Sequence, residues 1–128
     1  MRILLVDASE KFLISLSSFI DSFPSVNIIG KTSNGKSALE MCSRLNPDLV
    51  MMDITLPGMS GFETAKMMKS LRNPPRIFAL SFSDEPEYTV ESINSEADGY
   101  LTKFEISSGL FRQISSIFSS NSGAASLN

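Results

Sequence analysis

Four strand-like runs in this chain each stop at a polar side chain, and that pattern leaves few folds open. Leu49-Val50-Met51-Met52 ends at Asp53, followed by a loop marked by Pro57, Gly58 and Gly61. Ile3-Leu4-Leu5-Val6 ends at Asp7, Ile77-Phe78-Ala79-Leu80 at Ser81, and Gly99-Tyr100-Leu101-Thr102 at Lys103. A short apolar run bounded by turn residues reads as a strand of a parallel sheet buried on both faces. A fifth, β-branched run over 26–32 ends at the turn Ser33-Asn34-Gly35.

Helical spacing fills the gaps. Phe12, Leu13, Leu16, Phe19, Ile20 and Phe23 predict a helix over 10–23, capped by Ser9 and stopped by Pro24. A second helix is expected over 36–45, with Ala38, Leu39, Met41, Cys42 and Leu45 for the core. A third starts at Ser60 or Gly61, with Phe62, Ala65, Met68 and Leu71 on one face. A fourth follows Pro86 to about residue 95, and a fifth runs over 106–119. Five strands alternating with five helices predict an α/β fold, a doubly wound five-stranded parallel sheet. The order 2-1-3-4-5, the flavodoxin-like (βα)5 arrangement, is the expected one. Residues 1–119 would form one domain, and the small, polar stretch 120–128 reads as a tail or linker.

In that topology Asp7, Asp53, Ser81 and Lys103 converge on one rim. Each has a plainer reading when taken alone. An Asp after a strand commonly begins a turn, a Ser there bonds the backbone, and a Lys is usually at the surface. Together, two carboxylates, a hydroxyl and an ammonium suit phosphoryl transfer. A carboxylate can act as nucleophile, and positive charge and donors stabilise the phosphoryl oxygens.

The residues Leu4-Leu5-Val6-Asp7, Met52-Asp53-Ile54-Thr55-Leu56-Pro57-Gly58-Met59-Ser60-Gly61, Ala79-Leu80-Ser81 and Ala97-Asp98-Gly99-Tyr100-Leu101-Thr102-Lys103 resemble the receiver domain of two-component response regulators. The resemblance implies that Asp53 is the phosphoacceptor, Ser81 the switch hydroxyl and Tyr100 the aromatic that follows it. Lys103 would pair with the acceptor and then with the phosphate. The resemblance also implies Mg²⁺ held by Asp7, Asp53 and the Thr55 carbonyl. The partner would be a sensor histidine kinase or phosphotransfer protein, and the face of helix 4, strand 5 and helix 5 would switch. A fused C-terminal output domain and a homodimer are compatible with this reading. Such a domain is no enzyme beyond catalysing its own phosphorylation and dephosphorylation.

Two positions depart from the pattern. The family places two adjacent acids after the first strand, but here Asp7 is followed by Ala8. Mg²⁺ takes only one or two carboxylates, so losing one predicts a metal site that is weak or empty without phosphate. Glu10 is the nearest substitute, although a Glu in a first turn usually serves the helix dipole. Phe104 stands where many relatives have Pro. The loss of the acid keeps a second reading open: a pseudo-receiver, a phosphorylation-independent interaction module.

Composition excludes other classes. With no His and one Cys, the usual zinc sites and His-based triads are ruled out. A net charge of −3 gives no support for a nucleic-acid surface, and no apolar run approaches bilayer length. A start that enters a strand at once does not read as a secretory signal, and the single Cys42, in a helical pattern, makes a reducing cytoplasm the expected setting. A phosphatase with its nucleophile after the first strand would want Asp-x-Asp, and Asp7-Ala8-Ser9 lacks the second acid. A flavin site would want a small, Gly-rich phosphate loop there, and Glu10 puts an acid in its place.

Overall fold

The computed structural model describes residues 1–81 and 97–103. In chain order these form β1 (Arg2–Val6), α1 (Glu10–Ile20), β2 (Asn27–Thr32), α2 (Gly35–Leu45), β3 (Leu49–Asp53), α3 (Gly61–Lys69), β4 (Arg76–Ser81) and β5 (Gly99–Thr102). The expected fourth and fifth helices, Phe104 and the tail lie outside the described residues.

All five strands are parallel, in the order β2-β1-β3-β4-β5, as the alternation of apolar runs and helical patterns predicts. The two-residue period of a strand divides the core between the sheet's faces. Ile3 and Leu5 of β1, Leu49 and Met51 of β3, and Phe78 and Leu80 of β4 pack with Leu13, Leu16 and Ile20 of α1. Their alternates Leu4, Val6, Val50, Met52 and Ile77 pack with Ala38 and Cys42 of α2 and with Ala65 and Met68 of α3. A sheet covered on both sides needs apolar residues at successive positions, which explains why β1 and β3 read as continuous runs rather than alternating ones.

The helix starts follow from local chemistry. Ser9, Asn34 and Ser60 each accept a hydrogen bond from the backbone N–H three residues on, capping α1, α2 and α3. Helix α1 ends three residues before the expected Phe23. The chain turns at Asp21, whose N–H bonds back to Ser17 and Phe19, and Phe23 instead sets its ring edge-on against Phe19 at 5.4 Å. Apolar spacing alone cannot separate the last helical turn from a residue folded back onto it.

Candidate phosphoacceptor site

Strands β1, β3 and β4 bring their carboxyl ends to one rim, and the backbone there fixes the side chains. Ile54 N donates to Leu80 O at 3.0 Å, so the chain leaving β3 is still anchored to β4 as it turns. Gly61 N then donates to Ile54 O. A Cβ on Gly61 would lie 2.2 Å from the carbonyl oxygen of Asp53, so only glycine allows this close return. The turn itself uses Gly58 at φ +74°, in the left-handed region. These two glycines hold the loop against the strand and aim Asp53 inward.

The Asp53 carboxylate is buried and its two oxygens are used differently. Oδ1 accepts from the Thr55 backbone N–H and from the Thr55 hydroxyl, both at 2.9 Å. Oδ2 accepts from the Lys103 ammonium at 3.3 Å. The backbone at Lys103 is set by its N–H, which donates to Ser81 O at 2.6 Å, one step past β5.

Asp7 completes the group. Its Oδ1 accepts from Ser9 N at 2.8 Å, and its Oδ2 lies 2.6 Å from Lys103 Nζ. The contact is an ion pair, and Oδ2 accepts no directional hydrogen bond from a described residue. The side chains of Asp7 and Lys103 are only 2% and 3% exposed, so the pair is shielded from water and from salt. Two buried carboxylates share this one ammonium, which among the described ion pairs of the site leaves one negative charge in excess. Lys103 is thus the counter-ion of both acids.

The other expected residues fall as follows. Ser81 is buried at the end of β4, beside Thr102 of β5. Tyr100 is half-buried on β5, in register with Ala79. Ala8 and Glu10 are exposed and line an open cavity of about 390 Å³ with Asp7, Leu13, Lys31, Thr32 and Ser33. Asp7, Asp53 and Lys103 are thus in direct contact, Ser81 flanks them, and Tyr100 lies farther back along its strand.

The donor set is a poor fit for a divalent cation in the unmodified protein. Among the described residues no three acidic, Cys or His side chains are grouped to hold one. Ala8 offers no ligand. The one carboxylate oxygen with unengaged lone pairs, Asp7 Oδ2, already has an ammonium 2.6 Å away. Mg²⁺ takes one or two carboxylates and keeps several waters, so Asp7, Asp53 and the Thr55 carbonyl are the groups that would hold it, in competition with the Lys103 ammonium.

Two contributors were not legible as site residues. The sequence marked Thr55 only for its carbonyl, whereas its N–H and hydroxyl both clamp the acceptor. Phe12 read as core, yet its ring centroid lies 4.4 Å from Lys103 Nζ. The available signal was position: Phe12 sits in the first turn of a helix that begins three residues after Asp7.

A doubly wound parallel sheet with a buried Asp–Lys–Asp cluster at its carboxyl rim is the arrangement that the sequence's resemblance to receiver domains predicts. The response regulator receiver domain family matches residues 3–114, and the chain belongs to it. It is 34% identical over 101 residues to the nitrate/nitrite response regulator protein NarL of Escherichia coli K12, covering 79% of this chain and 47% of that protein. It is 33% identical over 105 residues to the transcriptional regulatory protein LiaR of Bacillus subtilis, covering 80% and 49%. The signal receiver domain of a putative response regulator NarL from Mycobacterium tuberculosis superposes with a TM-score of 0.81 at 26% identity, over 95% of this chain and 96% of that one. The chain therefore spans about half the length of the curated relatives it matches. Among the described residues no helix is long and apolar enough to cross a membrane.

Proposed function

We propose that the chain is a working receiver that takes a phosphoryl group from a histidine kinase, or from a phosphotransfer protein, onto Asp53. An Asp53 carboxylate oxygen attacks phosphorus, the P–N bond of the donor phosphohistidine breaks, and the imidazole leaves with the bonding pair and picks up a proton. Oδ2 is the oxygen for this role, since Thr55 holds Oδ1. Lys103 moves its charge from the carboxylates to the phosphoryl oxygens, and the Ser81 hydroxyl supplies a further donor. Tyr100 would follow Ser81, passing the change to the surface of β5 and its flanking segments 82–96 and 104–119. In the whole protein this surface would act on an output domain, in the cytoplasm. Mg²⁺ would bind weakly until phosphate oxygens join Asp7 and Asp53.

The observation that carries the reading is the buried Asp53 carboxylate, held on one oxygen by Thr55 and paired on the other with Lys103. The experiment is incubation with a small phosphodonor, with and without Mg²⁺, followed by mass spectrometry. One added phosphoryl group that is lost in Asp53→Asn supports the proposal. No addition under any condition overturns it in favour of the second reading, a phosphorylation-independent interaction module. Ala8 favours that reading, because it takes one direct ligand out of the metal site.

A further inference from the structure

The contacts around Lys103 close into a ring that runs through the start of α1. Asp7 Oδ1 accepts from Ser9 N at 2.8 Å, and Ser9 Oγ accepts from Phe12 N at 3.2 Å. The Phe12 ring then faces Lys103 Nζ at 4.4 Å, and Nζ returns to Asp7 Oδ2 at 2.6 Å. Ser9 thus serves both partners of the ammonium: its N–H holds the Asp7 carboxylate, and its hydroxyl, which starts α1, holds the backbone of Phe12.

The placement of the ammonium shows why this matters. Lys103 lies 2.6 Å from Asp7 and 3.3 Å from Asp53, nearer the acid that accepts nothing in the proposed chemistry. A lysine stem is long and its charge is free to swing, so something must set its position. Asp7 attracts it from one side, while a ring face attracts a cation through its quadrupole and keeps water off. Among the described residues Lys103 is the cation in contact with both acids, so its position bears directly on how the site meets an incoming phosphoryl group.

We propose that Phe12 is a positioning residue of the acceptor site, holding the Lys103 ammonium against Asp7 and Asp53 through its ring face. The inference rests on the acceptor reading for its consequence in phosphorylation, but the contact can be tested without it. Nuclear magnetic resonance on lysine-labelled protein reads the ε-methylene protons of Lys103, which a ring face shifts upfield of other lysines. Phe12→Leu, which keeps apolar volume and removes the ring, should return them to the ordinary position, and Phe12→Tyr should keep the shift. Phosphorylation by a small phosphodonor should slow about thirtyfold in Phe12→Leu, the factor expected for a desolvated cation–ring contact, and recover in Phe12→Tyr.

An unshifted Lys103 in the wild type, or a shift that survives Phe12→Leu, overturns the proposal. So does an unchanged rate once the shift is lost, or a Phe12→Tyr variant that restores neither. If wild-type protein takes no phosphoryl group, the acceptor reading fails and the Lys103 spectra alone decide the positioning role. Should Phe12→Leu not fold, Phe12→Met serves as the ring-less variant under the same criteria.

Discussion

The sheet carries an ionic cluster at each end, and the two are built with opposite imbalances. At the amino end of β5, Asp98 is one acid facing two cations: Lys69 Nζ at 2.6 Å and Arg76 at 3.2 Å. It is also sewn into the backbone, since Asp98 Oδ2 accepts from Ile77 N at 2.8 Å while Lys69 donates to Pro75 O at 2.7 Å. At the carboxyl end, among the described residues, Asp7 and Asp53 are two acids paired with one cation, Lys103. The first cluster ties the end of α3 to the starts of β4 and β5, and every group in it has a partner. The second keeps an excess negative charge in a dry place. Structure is served by the saturated cluster; a site that must receive an anion and rearrange its lysine is served by the unsaturated one. The same residue types do both, so chemistry alone does not separate fold from function, whereas the count of charges does.

Substitution on the two sides should give opposite signs, and the amino end should give the larger effect. Asp98→Ala strands Lys69 and the Ile77 N–H in a partly buried place. Breaking such a pair from one side typically costs about 3–5 kcal/mol, and a fall of that size in the urea unfolding free energy is expected. At the other end, Asp7→Asn keeps the oxygen that accepts from Ser9 and removes the excess charge, leaving Lys103 and Asp53 as a one-to-one pair. Stability should rise, because one of two like charges beside each other in a buried place is removed. A loss of stability in Asp7→Asn would break the comparison, because it would make the second cluster structural too.

A smaller effect tests the cap that joins helix to site. Ser9→Ala removes the hydroxyl that accepts from Phe12 N and should cost about 1 kcal/mol of folding stability. Ser60→Ala at α3 removes the same bond to Glu63 and is the matched control. The two should cost alike in unfolding, while only Ser9→Ala should slow phosphorylation of Asp53, since only that hydroxyl holds Phe12; the Ser9 N–H that Asp7 accepts from is kept. Equal phosphorylation rates in the two variants would separate α1 from the site.

Much of this was legible before any coordinates. The parallel sheet and its order follow from runs such as Leu49–Asp53, apolar at successive positions, set between helical patterns. The convergence of Asp7, Asp53 and Lys103 follows from that order, because β1 and β3 are neighbours and β5 ends beside β4. What sequence could not supply was side-chain direction. Nothing in Thr55 announces that its hydroxyl turns back to Asp53, and nothing in Phe12 separates a core ring from one facing a cation. Both depend on backbone angles at the first residues after a strand, where spacing rules no longer apply. Nor could it show Lys103 closer to Asp7 than to Asp53, a matter of tenths of an ångström set by packing.

The smallest effect concerns a third buried group, one held by no ion pair at all. Cys42 of α2 is buried in the apolar core of the α2–α3 face, and desolvation pushes its thiol up from 9.0 to about 12. The carboxylates at the rim are buried with a cation, whereas the thiol is buried among Leu4, Val50 and Met68 and stays neutral. The sign follows from proton counting. Above about pH 9 the unfolded chain releases the thiol proton while the native protein keeps it, so the native state binds more protons and its stability falls as pH rises toward 12. Unfolding measured at about pH 8 and about pH 10 should show a drop that is smaller in Cys42→Ala, and native Cys42 should react slowly with a thiol reagent at neutral pH. Fast labelling of the folded protein would mean that this face of the sheet opens more readily than its packing implies. The saturated cluster that anchors α3 through Lys69 would then be the weaker of the two restraints, against the comparison drawn between the ends of the sheet.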